Sequence, residues 1–163
     1  MNPDTALIDR LNAMGLQLPA APKPQALYAP WSIHPLGANG SSSLVVLSGQ
    51  TCRRNGVPMV GICRAESDVI PAREAAQIAA VNALALLHAA CEGRLERVKR
   101  LLRLRGFVAS SADFTLHSQV LDGSSELLKV AFPDLPLPAR TAVGVSSLPA
   151  GCWVEVELEA VIE

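Results

Sequence analysis

The chain has 163 residues, of which 50% are hydrophobic and 18% are charged, and its formal net charge at pH 7 is −1. This length suffices for one domain with a sound hydrophobic core. The near-neutral charge argues against a nucleic-acid partner, because surfaces that bind nucleic acids need a concentrated basic footprint. The N-terminus lacks a signal-peptide pattern, and no segment stays apolar over the roughly 18 residues of a membrane helix. We therefore expect a soluble, cytoplasmic protein that does not act at a membrane.

The first predicted element is a helix from about Asp4 to Met14, where apolar residues recur at helical spacing before Gly15. A stiff connector follows from Pro19 to Pro24. The helix is therefore expected to be an appendage. The predicted organisation is a helix with its Pro-rich connector over residues 1–26 and a main domain over residues 27–163.

Three strands are predicted before the longest helix. One surrounds Trp31 to Ile33, and a Gly/Asn/Ser loop then covers 36–43. The β-branched run at 44–50 ends in Ser-Gly, which is typical of a buried strand that reaches a turn. A weaker strand is predicted from Met59 to Cys63.

Helix and strand patterns alternate in the second half of the chain. An alanine-rich helix is predicted over Ala72–Ala90, since Pro71 suits a helix start. Arg97–Ala109 alternates apolar and basic residues, which indicates a strand with one buried face. Ser118–Phe132 carries a helical apolar stripe that can cover the same sheet.

The segment from Arg140 to Glu157 predicts a C-terminal hairpin, two strands joined by a Leu-Pro-Ala-Gly turn. Alternation puts Arg140, Ala142 and Gly144 on one face. A lone cation beside small side chains suggests a docking place for a small anion, because the arginine fork matches a carboxylate. An ordinary strand-end arginine, in water or in a structural ion pair, fits the pattern as well.

The order of these elements predicts an α+β fold, a mixed sheet with two helices packed on one face, plus the N-terminal helix. The apolar content suggests that a second subunit covers the other face, so we expect an oligomer. No metal site is expected, because the cysteines lack ligand spacing and read as reduced thiols. No cofactor is expected either. They stand at Cys52, Cys63, Cys91 and Cys152.

Several segments together resemble the Rid proteins, also called the YjgF or L-PSP endoribonuclease family. These are Ser48-Gly49-Gln50, the helix with AAVNALA, the stretch GFVASSADF and above all ARTAVGVSSLPAGCWVEVELEA. The resemblance covers most of residues 28–162, and the extra N-terminal helix indicates a divergent branch. It implies a chorismate-mutase-like fold and a homotrimer with ligand clefts between subunits.

The resemblance also implies a function. Archetypal members hydrolyse imines derived from amino acids to 2-oxo acids and ammonia. By position, Arg140 would bind the substrate carboxylate and Glu155 would place the attacking water. Ser48, Gly49 and Tyr28 would line the pocket. From the residues alone, however, Glu155 also fits a solvated acidic strand face, since Glu157 and Glu159 share its alternation.

Two positions depart from the archetype. Ala142 stands where it has cysteine, and Ser118 matches a site asparagine. Both would line the substrate pocket. They leave open a second hypothesis, a non-catalytic homologue that senses a small carboxylate-bearing metabolite. A third, weaker hypothesis is an L-PSP-type endoribonuclease or translation inhibitor. It is disfavoured by the neutral charge and by scattered histidines, which read as structural or exposed: His34, His88 and His117.

Overall fold

The computed structural model describes residues 3–37 and 40–163. In that part of the chain three helices form, α1 (Pro3–Ala13), α2 (Val69–Ala90) and α3 (His117–Ala131). The eight strands there are β1 (Trp31–Leu36), β2 (Ser42–Leu47), β3 (Gln50–Thr51), β4 (Arg53–Arg54), β5 (Val57–Pro58), β6 (Val98–Ala109), β7 (Ala139–Val145) and β8 (Val154–Ile162).

The main sheet has the order β1-β2-β8-β6-β7, with β3 added beside β8. Strand β6 pairs parallel with β7 and antiparallel with β8, so β7 and β8 do not touch as partners. The predicted C-terminal hairpin is therefore wrong. Helix α3 carries the chain from the end of β6 back to the start of β7, and such a crossover gives parallel strands. The next strand then runs along the other side of β6.

Helices α2 and α3 cover one face of this sheet, as the sequence predicted for an α+β fold. Alanines let α2 lie close to the sheet, and Gly106 of β6 faces Leu121 of α3 so tightly that a Cβ there would overlap the leucine. The buried Ser124 hydroxyl donates to the backbone oxygen of Ala76 at 2.7 Å, which joins the two helices. The core thus lies between the helices and the sheet.

The opposite sheet face, called the open face below, is polar along its middle. Arg105 of β6 pairs with Glu157 at 2.8 Å and with Glu159, both on β8.

Strand β6 does not alternate strictly, because two bulges interrupt its pairing with β8. They bury Leu101 instead of Leu102, which the plain alternation would have buried.

Helix α1 is part of the main core, so the expected appendage is wrong. Leu7 and Leu11 are buried in the same hydrophobic cluster as the sheet residues. Arg10 donates to the backbone oxygens of Val130 and Ala131 at 2.8 and 2.9 Å. These carbonyls belong to the last turn of α3, whose orphan acceptors a cation satisfies well.

Two smaller predictions also need correction. The weaker strand expected from Met59 to Cys63 is a loop with isolated bridges, and the nearby strand pair is β4 with β5. The loop expected over 36–43 is shorter, because β1 ends at Leu36 and β2 begins at Ser42; positions 38–39 lie outside the described residues. No helix in the described ranges is long and apolar enough to cross a membrane.

Candidate functional site

A cavity of about 800 Å³ lies between the Pro-rich connector and the edge of the sheet around β3. The connector forms one wall, from Pro19 to Pro30, and the start of β8 forms another. Four of the residues predicted from the sequence line it together: Tyr28, Ser48, Gly49 and Glu155. Arg53, Lys23 and Asn82 add polar groups to the same cavity.

Hydrogen bonds fix the turn that carries Ser48 and Gly49. The Ser48 hydroxyl donates to the backbone oxygen of Ala29 at 2.5 Å, which ties the turn to the connector. The buried Gln50 amide donates to the backbone oxygens of Ser48 and Gly49 at 3.1 and 2.8 Å. Ser48 therefore serves as a structural tie here, since its proton is already used.

Glu155 lies directly against this turn. A Cβ on Gly49 would overlap Oε1 of the Glu155 carboxylate, so a larger residue at position 49 would displace the carboxylate from its present place. Burial raises the pKa of the Glu155 carboxyl above its ordinary value, and the nearby charge of Glu157 adds to the rise. A desolvated carboxylate in a cavity wall is a good acceptor for a proton from water.

Tyr28 lines the same cavity but is 45% exposed. Its hydroxyl accepts a hydrogen bond from the backbone N–H of Gln25 at 3.2 Å. The hydroxyl proton remains available, so Tyr28 can donate to a ligand in the cavity.

Arg140 lies elsewhere, in what we call the Arg140 cluster: Arg140, Ser118, Asp122 and Ser125. Its Nη1 donates to Oδ1 of Asp122 at 2.8 Å and to Oγ of Ser125 at 2.9 Å. Its Nη2 donates to the backbone oxygen of Ser118 at 3.3 Å. A guanidinium has five N–H donors, so Arg140 keeps two without a partner in the described part of the chain. The pair with Asp122 is therefore not saturated.

Within one chain, Arg140 and Glu155 are on opposite faces of the sheet. Arg140 is level with Leu104, a buried residue on the helix face. Glu155 is level with Phe107, on the open face. Paired residues of neighbouring strands point to the same side. The structure therefore separates the two predicted key residues. We call the cavity around Glu155 and the Arg140 cluster the two candidate half-sites, and β6 lies between their strands.

The face of β7 that carries Arg140, Ala142 and Gly144 also borders Ser110 and His117, and the sequence interpretation had read His117 as structural or exposed. Ala142 is half-buried beside the core, as expected for a small residue on the face of Arg140. His117 Nε2 is 3.2 Å from Oγ of Ser110, and a Cβ on Gly144 would come within 2.5 Å of both atoms. Helical spacing was an available signal for Ser118, which shares one face of α3 with Asp122 and Ser125. It gave no signal for His117.

No group of three or more possible metal ligands occurs in residues 3–37 and 40–163. The fold and the two candidate half-sites describe an α+β protein with a carboxylate-lined cavity and an arginine on an edge strand. A family model described as "YjgF/chorismate mutase-like, putative endoribonuclease" matches residues 8–158. The chain belongs to this family, the Rid proteins.

Relatives share most of its length. Protein TCP17 of Trypanosoma cruzi is 36% identical over 149 residues, 90% of this chain and 88% of its own. The crystal structure of Atu1372 from Agrobacterium tumefaciens, described as of unknown function, is 33% identical with a TM-score of 0.86, covering 99% of this chain and 95% of its own. A "putative endoribonuclease" from Shewanella oneidensis is 30% identical with a TM-score of 0.81, covering 98% and 99%. Both structures thus extend over the N-terminal helix.

Proposed function

We propose that this chain is an imine deaminase that hydrolyses small 2-imino acids, or their enamine tautomers, to 2-oxo acids and ammonia. Arg140 binds the substrate carboxylate and Glu155 places the water. The observation that carries the proposal is the partly desolvated Glu155 carboxylate in a cavity wall, where Gly49 leaves room for it. It lies at the position of the family's water-placing residue.

The separation of the half-sites is the reason to propose a homotrimer with shared clefts. Each chain offers Arg140 on the edge strand β7 and Glu155 on the opposite sheet face. A ring of identical subunits presents one surface of each chain to the other surface of its neighbour. Each cleft then takes Arg140 from one subunit and Glu155 from the next.

The chemistry needs few groups. Glu155 accepts a proton from water while the oxygen attacks the imine carbon, and the carbon–nitrogen π bond becomes a lone pair on nitrogen. From the protonated imine, the nitrogen takes this proton back from Glu155 and leaves as ammonia when the carbon–nitrogen bond breaks, while the hydroxyl loses its proton to solvent and becomes the carbonyl. A protonated imine is already a good electrophile, so holding the carboxylate and aiming the water are the main tasks.

The first test is ammonia release from imines generated in place by an amino-acid oxidase. The wild-type protein should speed it, and Arg140→Met and Glu155→Gln should each abolish the gain. An equal mixture of these two variants, assembled together, should regain about one quarter of the wild-type rate. Each cleft of a randomly assembled ring has about one chance in four of receiving both an intact Arg140 and an intact Glu155. Wild-type protein without effect on any imine would refute the activity. A mixture with no activity would refute the shared cleft.

One observation favours a second function, a non-catalytic sensor of small carboxylates. Asp122 already contacts the Arg140 guanidinium, and Ala142 and Ser118 replace two residues of the archetypal pocket. A sensor keeps the anion anchor without turnover. Thermal-shift titration with 2-oxo acids separates the two functions: an Arg140-dependent shift in a protein that hydrolyses no imine supports the sensor.

A further inference from the structure

A Ser–His pair borders the same face of β7 as Arg140. His117 Nε2 and Ser110 Oγ are 3.2 Å apart, and both side chains are half-buried. The Phe114 ring meets the His117 ring edge-on, with centroids 5.2 Å apart. The absence of a side chain on Gly144 makes room for the pair, since a Cβ would come within 2.5 Å of both polar atoms.

The pair and the guanidinium belong to one surface. Arg140 donates to the backbone oxygen of Ser118, the residue next to His117 in the first turn of α3. Along β7, Arg140 and Gly144 point to the same side, with Ala142 between them. On this side of β7, the Ala142 methyl group is therefore the only side chain between Arg140 and the Ser110–His117 pair.

We propose that Ser110 and His117 are specificity-determining residues that bind the polar tail of the ligand whose carboxylate Arg140 holds. The hydroxyl and imidazole together offer donors and acceptors, so they suit a second carboxylate or an amide. The ligand class is therefore the 2-imino or 2-oxo acid with a carboxylate or amide tail, such as one derived from glutamate or glutamine. This inference rests on the proposed function, because Arg140 must hold the first carboxylate.

The test compares two five-carbon probes, 2-oxoglutarate and 2-oxopentanoate, by isothermal titration of the full chain. They differ only in the tail, so the ratio of their Kd values isolates the tail contacts. The wild-type protein should bind 2-oxoglutarate about tenfold more tightly, the effect of one hydrogen bond to a charged group. His117→Leu should reduce that ratio to about one while 2-oxopentanoate still binds, and His117→Asn should keep part of it.

The chain supplies a matched control on the other edge of the sheet. His34 and Ser32 form a similar pair on β1, with Nε2 and Oγ 3.1 Å apart. His34→Leu should leave the ratio at its wild-type value. Equal binding of both acids to the wild type, or an unchanged ratio in His117→Leu, would overturn the inference and leave the Arg140 anchor standing. Binding that survives Arg140→Met, or no binding of either acid to the wild type, would overturn the anchor as well.

Discussion

Replacing Asp122 with asparagine should strengthen the binding of carboxylates to Arg140. The Asp122 carboxylate lies 2.8 Å from Nη1 and would repel an incoming acid that uses the same guanidinium. Asparagine keeps an oxygen that can accept the Nη1 hydrogen bond, so the position of Arg140 should be retained. Only the competing charge is removed.

The exposure of the pair sets the size of the effect. Asp122 is 46% exposed and Arg140 is 23% exposed, so water screens the interaction strongly. Unit charges about 4 Å apart interact by about 1 kcal/mol in water, and exposed pairs measured in proteins give about 0.2–1 kcal/mol. We expect a gain of about 0.5–1 kcal/mol, which lowers the Kd of a 2-oxo acid about two- to fivefold.

Isothermal titration with 2-oxoglutarate at about 20 mM and about 500 mM salt measures this effect, and the gain should shrink at the higher salt. Glu126→Gln is the matched control, since Glu126 is on the same helix but pairs with Arg73. An unchanged or larger Kd for Asp122→Asn at low salt would refute the reasoning. A gain of equal size in Glu126→Gln would show a general charge effect instead.

Three further predictions concern the fold and the thiols. Gly106→Ala should lower the free energy of unfolding by about 1–3 kcal/mol in urea titration, because its Cβ would overlap the buried Leu121; an unchanged midpoint would contradict this packing. Glu155→Gln should raise the free energy of unfolding at neutral pH. Burial raises the pKa of this carboxyl, so wild-type stability falls as pH rises from the ordinary pKa through the raised one, whereas glutamine carries no charge. The gain should vanish below about pH 4, and a gain independent of pH would count against it. Burial raises the pKa of the Cys52 and Cys63 thiols to about 11, so both should resist a thiol reagent at pH 8 until denaturant is added; rapid labelling of the native protein would disprove their burial.

The sequence predicted the main elements because their local patterns are strong. The alternating run in β8 and the alanine-rich α2 need no knowledge of their neighbours to be recognised. The pairing of β7 was missed because the Leu-Pro-Ala-Gly turn looks like a hairpin turn. The competing signal, a strand–helix–strand order over β6, α3 and β7, favours parallel pairing and decided the topology.

The candidate site was predicted as a set of residues but not as an arrangement. The family resemblance gave Arg140 and Glu155 as candidates, yet only the strand order shows that they are on opposite faces of the sheet. His117 was set aside because histidines scattered in sequence carry no sign of their partners. Its contact with Ser110, only seven residues earlier, closes the loop between β6 and α3.

The Arg10 contact with α3 has a consequence for ligand access. Residues 17–30 connect α1, which Arg10 binds to the end of α3, with β1, which is paired in the sheet. A tag, truncation or binding protein that displaces α1 would remove one of the two anchors of this segment. The volume of the cavity beside the connector would then change although none of its lining residues had been altered.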